Sequence, residues 1–111
     1  MNSITAYRRN QETEDLEQSL VEKFGAAEYT AARARARFKA ELARTMKQRR
    51  IDLDMDQKDL AMKLHTTQQQ LSKYEIGENS PTAERLYDIC QALNLELIVR
   101  DKEKGHELIH I

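Results

Sequence analysis

Residues 56–77, DQKDLAMKLHTTQQQLSKYEIG, allow two short helices and little else. Asp56 is a good N-cap, with the acid Asp59 three residues on. Leu60, Ala61 and Leu64 then recur on one helical face. His65, Thr66 and Thr67 leave room only for a turn. Thr67 caps again, with Gln70 at the third helical position, which makes a capping box. This second helix runs to about Ile76, with Leu71 and Tyr74 or Glu75 near its middle, and Gly77 closes it.

The flanks are helical too. Residues 26–50 hold eight alanines, many arginines and neither Gly nor Pro, which is strong helix-former chemistry. Two readings fit this stretch. It is one long helix, or a kink separates a linker helix from a shorter one at about 36–50. In either case Phe38, Leu42 and Met46 form a stripe expected in the core. Upstream, Leu16, Leu20, Val21 and Phe24 share one face of a helix expected from about Thr13, its N-cap, to Phe24. Gly25 breaks it, and residues 1–9 carry no pattern. Downstream, ENSPT is a loop, and Thr82 or Ser80 caps a helix whose Leu86, Ile89, Cys90 and Leu93 line up at helical period. Residues 95–101 alternate at period two, KEKG is a turn, and HELIHI is β-like again, which predicts a hairpin. Two strands alone are marginal, so the hairpin is expected to pair, most simply with a second copy of this chain.

The polar run at residues 68–70 points to chemistry. A side chain that reads DNA projects from the first turns of a helix in the major groove. Glutamine donates and accepts at once, so it can pair with adenine. Steps of about 100° spread three consecutive glutamines around the axis, so not all face the groove. Gln68 and Gln69 are better placed than Gln70, which partly serves the cap. Lys73 lies one turn beyond Gln69 and reaches toward a phosphate. Thr67, Ser72 and Asn79 are candidates for phosphate contacts, which set register rather than sequence. Gln57 opens the first of the two helices and is placed to brace Gln68 while touching a phosphate.

With these residues in view, positions 42–95 resemble the lambda-repressor-like helix-turn-helix domains, the Cro/C1 or XRE family. The resemblance rests on Gln57, Leu60-Ala61, Leu64, His65-Thr66-Thr67, Gln68-Gln69-Gln70, Glu75, Gly77, Pro81 and the helix around Leu86. It covers about half of the chain. It implies a five-helix-type DNA-binding bundle, and with the flanks read above the chain is expected to be mainly α: a lambda-repressor-like helical bundle with an N-terminal helical extension and a short C-terminal β-hairpin or strand. It also implies DNA contacts from Gln57, Gln68, Gln69 and Lys73. Two positions depart from the family pattern. Asp54 and His65 stand where Gly is common, and Asp tolerates the left-handed conformation better than most residues. His65 is read as a helix C-cap.

Charge is unevenly spread. Residues 1–30 carry six acids against three bases, residues 31–50 eight bases against Glu41 alone, and residues 51–111 twelve acids against seven bases. The bases of 33–50 either touch phosphates or solubilise an alanine-rich helix, with Arg49 and Arg50 expected nearer DNA than Arg33. The single Cys90 has no disulfide partner within the chain and sits among Leu86, Ile89 and Leu93 as a small buried hydrophobe. No metal-ligand spacing, Gly-rich phosphate loop or nucleophile–His frame is present, so no cofactor, metal or catalytic residue is expected. His106 and His110 lack a third ligand. With no apolar run near 18 residues and no secretory leader, a soluble cytoplasmic protein is expected.

Three segments emerge: a helical extension at 1–35 that binds a partner, a DNA-binding domain at 36–95, and a β segment at 96–111 that dimerises. This layout resembles HigA-like antitoxins of type II toxin–antitoxin pairs. That resemblance implies a cognate toxin, a small basic ribonuclease of the RelE/HigB class, and autorepression of an operon through double-stranded operator DNA. Leu16, Leu20, Val21, Phe24 and Tyr29 would anchor the toxin, and the acidic N-terminal third suits a basic partner. The competing readings are self-packing of the extension, a free-standing XRE-type repressor without a toxin, and a bridging adaptor using the same fold.

Overall fold

The computed structural model describes residues 3–110, with side chains from Asn10 onward. Five helices and two strands follow in order: α1 Ser3–Phe24, α2 Ala26–Asp52, α3 Gln57–Lys63, α4 Gln68–Glu75, α5 Ala83–Ala92, β1 Ile98–Arg100 and β2 Glu107–His110. The chain divides into two compact units between Phe38 and Lys39.

In the first unit α1 begins at Ser3, ten residues before Thr13, so Thr13 lies inside the helix and does not cap it. The N-terminal stretch lacks an apolar stripe, which is why sequence pattern missed it. It also lacks Gly and Pro, and its propensity carries the helix. Bonds one turn apart support the polar faces: Gln11 donates to Asp15 and Gln18 to Glu22. Gly25, at φ 85°, is the joint before α2. Its N–H donates to the carbonyl of Val21, and its carbonyl accepts from the N–H of Tyr29.

α2 is continuous from Ala26 to Asp52, which settles the choice between one helix and two. The expected Phe38–Leu42–Met46 core stripe is corrected. Phe38 is 62% exposed, Leu42 is half-buried and Met46 is buried. The buried row of α2 is Ala43, Met46 and Arg50, at spacings of three and four, and it begins more than a turn after Phe38.

The second unit is a helical bundle with a hairpin after it. Its core is Met46, Leu60, Ala61, Leu64, Leu71, Tyr74, Ile89 and Leu93, with Leu42, Met55, Ala92 and Leu95 packed at the edge. Each short helix is capped as its sequence predicts. Asp56 accepts from Asp59 N–H at 2.7 Å, Thr67 from Gln70 N–H at 3.0 Å and Thr82 from Arg85 N–H at 3.1 Å. Such caps are each worth about 0.5–2 kcal/mol. Cys90 is buried, and burial pushes its thiol pKa up, which keeps it protonated and unreactive.

The loops turn in left-handed conformations at Asp54 (φ 56°), His65 (φ 53°), Asn94 (φ 54°) and Gly77 (φ 76°). The C-cap of α3 is Leu64, one residue earlier than expected, and His65 is the left-handed residue that follows it. β1 and β2 pair antiparallel, Ile98 with His110 and Val99 with Ile109, and the register is irregular between Val99 and Arg100. The strands are shorter than the alternating sequence predicts, because Leu95 packs at the edge of the bundle core and its N–H donates to the Cys90 carbonyl of α5. In the connecting turn, the Asp101 carboxylate accepts from the N–H groups of Glu103 and Lys104. Every residue of the two strands is exposed.

His65→Gly tests the strained turn after α3. Relief of a left-handed side chain yields about 1–2 kcal/mol, and the entropy of an added glycine removes about half of it. The variant should therefore be stabilised by about 0.5–1 kcal/mol, read as a raised urea midpoint at unchanged slope.

Candidate nucleic-acid interface

The first residues of α3 and α4 are both glutamines, and the packing of the two helices brings them together. Gln68 Nε2 donates to Gln57 Oε1 at 3.5 Å, a long bond. Gln57 Nε2 in turn donates to Glu75 Oε1 at 3.1 Å. Glu75 closes the chain inside the bundle, accepting from Arg50 Nε at 2.7 Å and Arg50 Nη2 at 3.0 Å. The third arm of the guanidinium donates to the carbonyl of Met55, in the loop before α3, at 2.7 Å. One connected path of side chains thus runs from the buried end of α2 to the exposed start of α4.

Arg50 is 8% exposed and Glu75 5%. The Glu75 hydrogen bond raises the Arg50 pKa above its ordinary value, so Arg50 stays charged. The pair is bidentate, and no buried side-chain polar atom among the described residues lacks a partner. Of the two readings of the bases at 33–50, a phosphate contact or a solubilising face, neither fits Arg50. Arg50 is consumed in the core, and Arg49 donates to the Leu93 carbonyl. Both charges occupy positions in buried helical rows, Arg50 after Met46 and Glu75 after Leu71. A charge in an apolar stripe is the sequence signal that marks such a pair.

The remaining site residues fall as follows. Gln68 and Gln69 are exposed, Gln70 is half-buried, and its N–H is taken by the Thr67 hydroxyl. Gln68 spends one amide hydrogen on Gln57 and keeps a donor and an acceptor, the set that adenine requires. Ser72 and Lys73 are half-buried on α4. Asn79 is exposed in the loop beyond Gly77, tied back by its N–H to the Lys73 carbonyl at 3.3 Å. All eight DNA-contact candidates lie in the second unit. The five partner-contact candidates lie in the first: Leu16 and Phe24 exposed, Leu20, Val21 and Tyr29 half-buried. Among the described residues no cluster of three or more His, Cys, Asp or Glu is placed to hold a metal ion. None of the described helices is long and apolar enough to cross a membrane.

With this geometry in place, residues 46–99 match the helix-turn-helix family model. The fold of that stretch is a helix-turn-helix bundle. A relative from Rhodospirillum rubrum, an uncharacterized transcriptional regulator in the ATPase CF(0) region, is 40% identical over 68 residues. The match covers 60% of this chain and 63% of that protein, less than two thirds of the relative's length. Among solved structures, a chain of the HipA-HipB-O2-O3 complex is 28% identical with a TM-score of 0.51, covering 59% of this chain and 92% of that one. A chain of a complex between a serine-to-alanine variant of HipB and the O2 20mer aligns equally well, at 28% identity and TM-score 0.51, over 59% of this chain and 90% of that one.

Glu75→Ala would strand the Arg50 charge in the core, and thermal or denaturant unfolding should show a loss of about 3–5 kcal/mol. Replacing both partners by apolar residues of similar volume, Arg50→Met with Glu75→Leu, should recover most of that loss.

Proposed function

We propose that the chain is a transcriptional regulator that binds double-stranded operator DNA as a homodimer, reading bases with Gln68 and Gln69. The observation that carries this reading is the exposed pair of glutamines at the start of α4, with Gln68 tied through Gln57 to a buried ion pair. Preorganised amides at a helix N-terminus suit base edges in the major groove. Thr67, Ser72, Lys73 and Asn79, on α4 and its two flanks, are assigned to the phosphates, with Gln57 and Gln70 at the margin of the interface. The role is binding rather than catalysis.

In this reading residues 36–95 hold the DNA, and the hairpin in 96–111 joins two copies by sheet pairing. A two-stranded sheet with every residue exposed leaves both edges free, which supports that assignment. Residues 1–35 bind a partner. The finer proposal is an antitoxin that represses its own operon and neutralises a RelE/HigB-like ribonuclease through Leu16, Leu20, Val21, Phe24 and Tyr29. Its support is the acidic α1 and the likeness to HipB, which is solved in an assembly with HipA.

Two measurements separate these claims. In competition binding against variant operators, Gln68→Ala with Gln69→Ala should relax sequence preference by about 1–3 kcal/mol for each glutamine removed. Unchanged discrimination would favour the bridging-adaptor use of the fold. Native purification of the full chain should carry a small basic protein that deletion of residues 1–30 releases. DNA binding with no such partner would leave a free-standing repressor.

A further inference from the structure

The first unit has a surface that its own chain leaves open. Among residues 10–38 no described side chain is buried, although Leu16 is 60% exposed and Phe24 54%. Glu17 approaches Arg33 at 3.8 Å, so α1 and α2 fold back on each other at Gly25. Between them lies an open groove of about 380 Å³, walled by Leu20, Phe24 and Tyr29 and floored by Ala32 and Ala36. Two alanines one turn apart let another helix approach closely, since interaxial distance follows side-chain size. An apolar groove on a two-helix hairpin is a surface that asks for further helices.

The charges say which helices. α1 carries Glu12, Glu14, Asp15, Glu17 and Glu22 against three bases, a net −2. The part of α2 in the same unit carries Arg33, Arg35 and Arg37 against Glu28, a net +2. The two limbs are equal and opposite. Glu12 and Glu14 on α1 and Arg37 on α2 are exposed and make no salt bridge among the described residues. A two-fold axis allows two copies of the hairpin to set each acidic limb against the other's basic limb and to close both grooves. An isologous interface of this kind needs a self-complementary surface, and this hairpin is one.

We infer that in the free protein the α1–α2 groove is covered by the same hairpin of a second copy, forming a four-helix bundle. Its residues lie in the first unit and those of the proposed C-terminal dimer in the second. It goes beyond the function proposed above and does not require it. A toxin seated on Leu20, Phe24 and Tyr29 would have to displace the second copy.

Sedimentation equilibrium of the full chain tests this. With Val99→Pro and Ile109→Pro in the hairpin to block strand pairing, the chain should have twice the mass of the same chain carrying Phe24→Glu, with helix content checked by circular dichroism. Glu12→Lys with Glu14→Lys changes only exposed residues that make no salt bridge among the described residues. It should weaken the association by roughly tenfold, and raised salt should weaken the wild type likewise. Equal masses with and without Phe24→Glu in that hairpin variant would overturn the inference, as would association indifferent to the charge reversal. If the masses are equal while Phe24→Glu loses a co-purifying basic protein, the groove belongs to that protein. The inference then falls and the antitoxin reading stands.

Discussion

A guanidinium and a carboxylate share the interior of the second unit, and the exposed start of α4 is braced outward from them. Arg50 comes from the last turns of α2, Glu75 from the last residue of α4, and the Met55 carbonyl from the loop entering α3. Three elements are therefore pinned at one point. Taking two ions out of water is costly, and good geometry with further hydrogen bonds is what offsets it. Here Arg50 makes bonds through Nε and both terminal nitrogens, and Glu75 also accepts from Gln57. The pair does not by itself argue for high stability. It fixes the angle at which α4 leaves the bundle, because ion-pair geometry is directional where apolar packing is not.

Much of this second unit could be read from residues alone. Asp56, Thr67 and Thr82 cap as their positions predict, because side-chain caps are local events that need only three residues to specify. The core face of α3 and α5 followed from period, with Leu60, Leu64, Ile89 and Leu93 all buried. Asp54 and His65 adopt the left-handed conformation where a glycine is more usual. Local chemistry and tertiary packing agree there, and agreement across levels makes a sequence transparent.

The failures are equally physical. Phe38 looked like core because it sits at helical spacing from Leu42 and Met46, yet it lies across the break between the two units. Period predicts a shared face, not how far along a helix that face stays covered. Arg50 was misread because a run of bases suggests a solvated or DNA-facing surface, and only its phase with Ala43 and Met46 reveals burial. The start of α1 was invisible to pattern, since a helix with no apolar stripe is specified by propensity and by polar pairs one turn apart. Within the site, the exposure of Gln68 and Gln69 was accessible from their place after a cap. The brace through Glu75 was not, because it spans 18 residues of sequence and depends on how α3 crosses α4.

The division of labour within α4 has a consequence for how such a protein changes over time. In eight residues this helix keeps its anchors, Leu71, Tyr74 and Glu75, apart from Gln68 and Gln69, which support no part of the core. Substitutions at the two outer positions leave the anchors untouched. Under the proposed reading, duplicated copies can therefore drift toward new operators and escape cross-talk with the parent, while the scaffold beneath them stays the same.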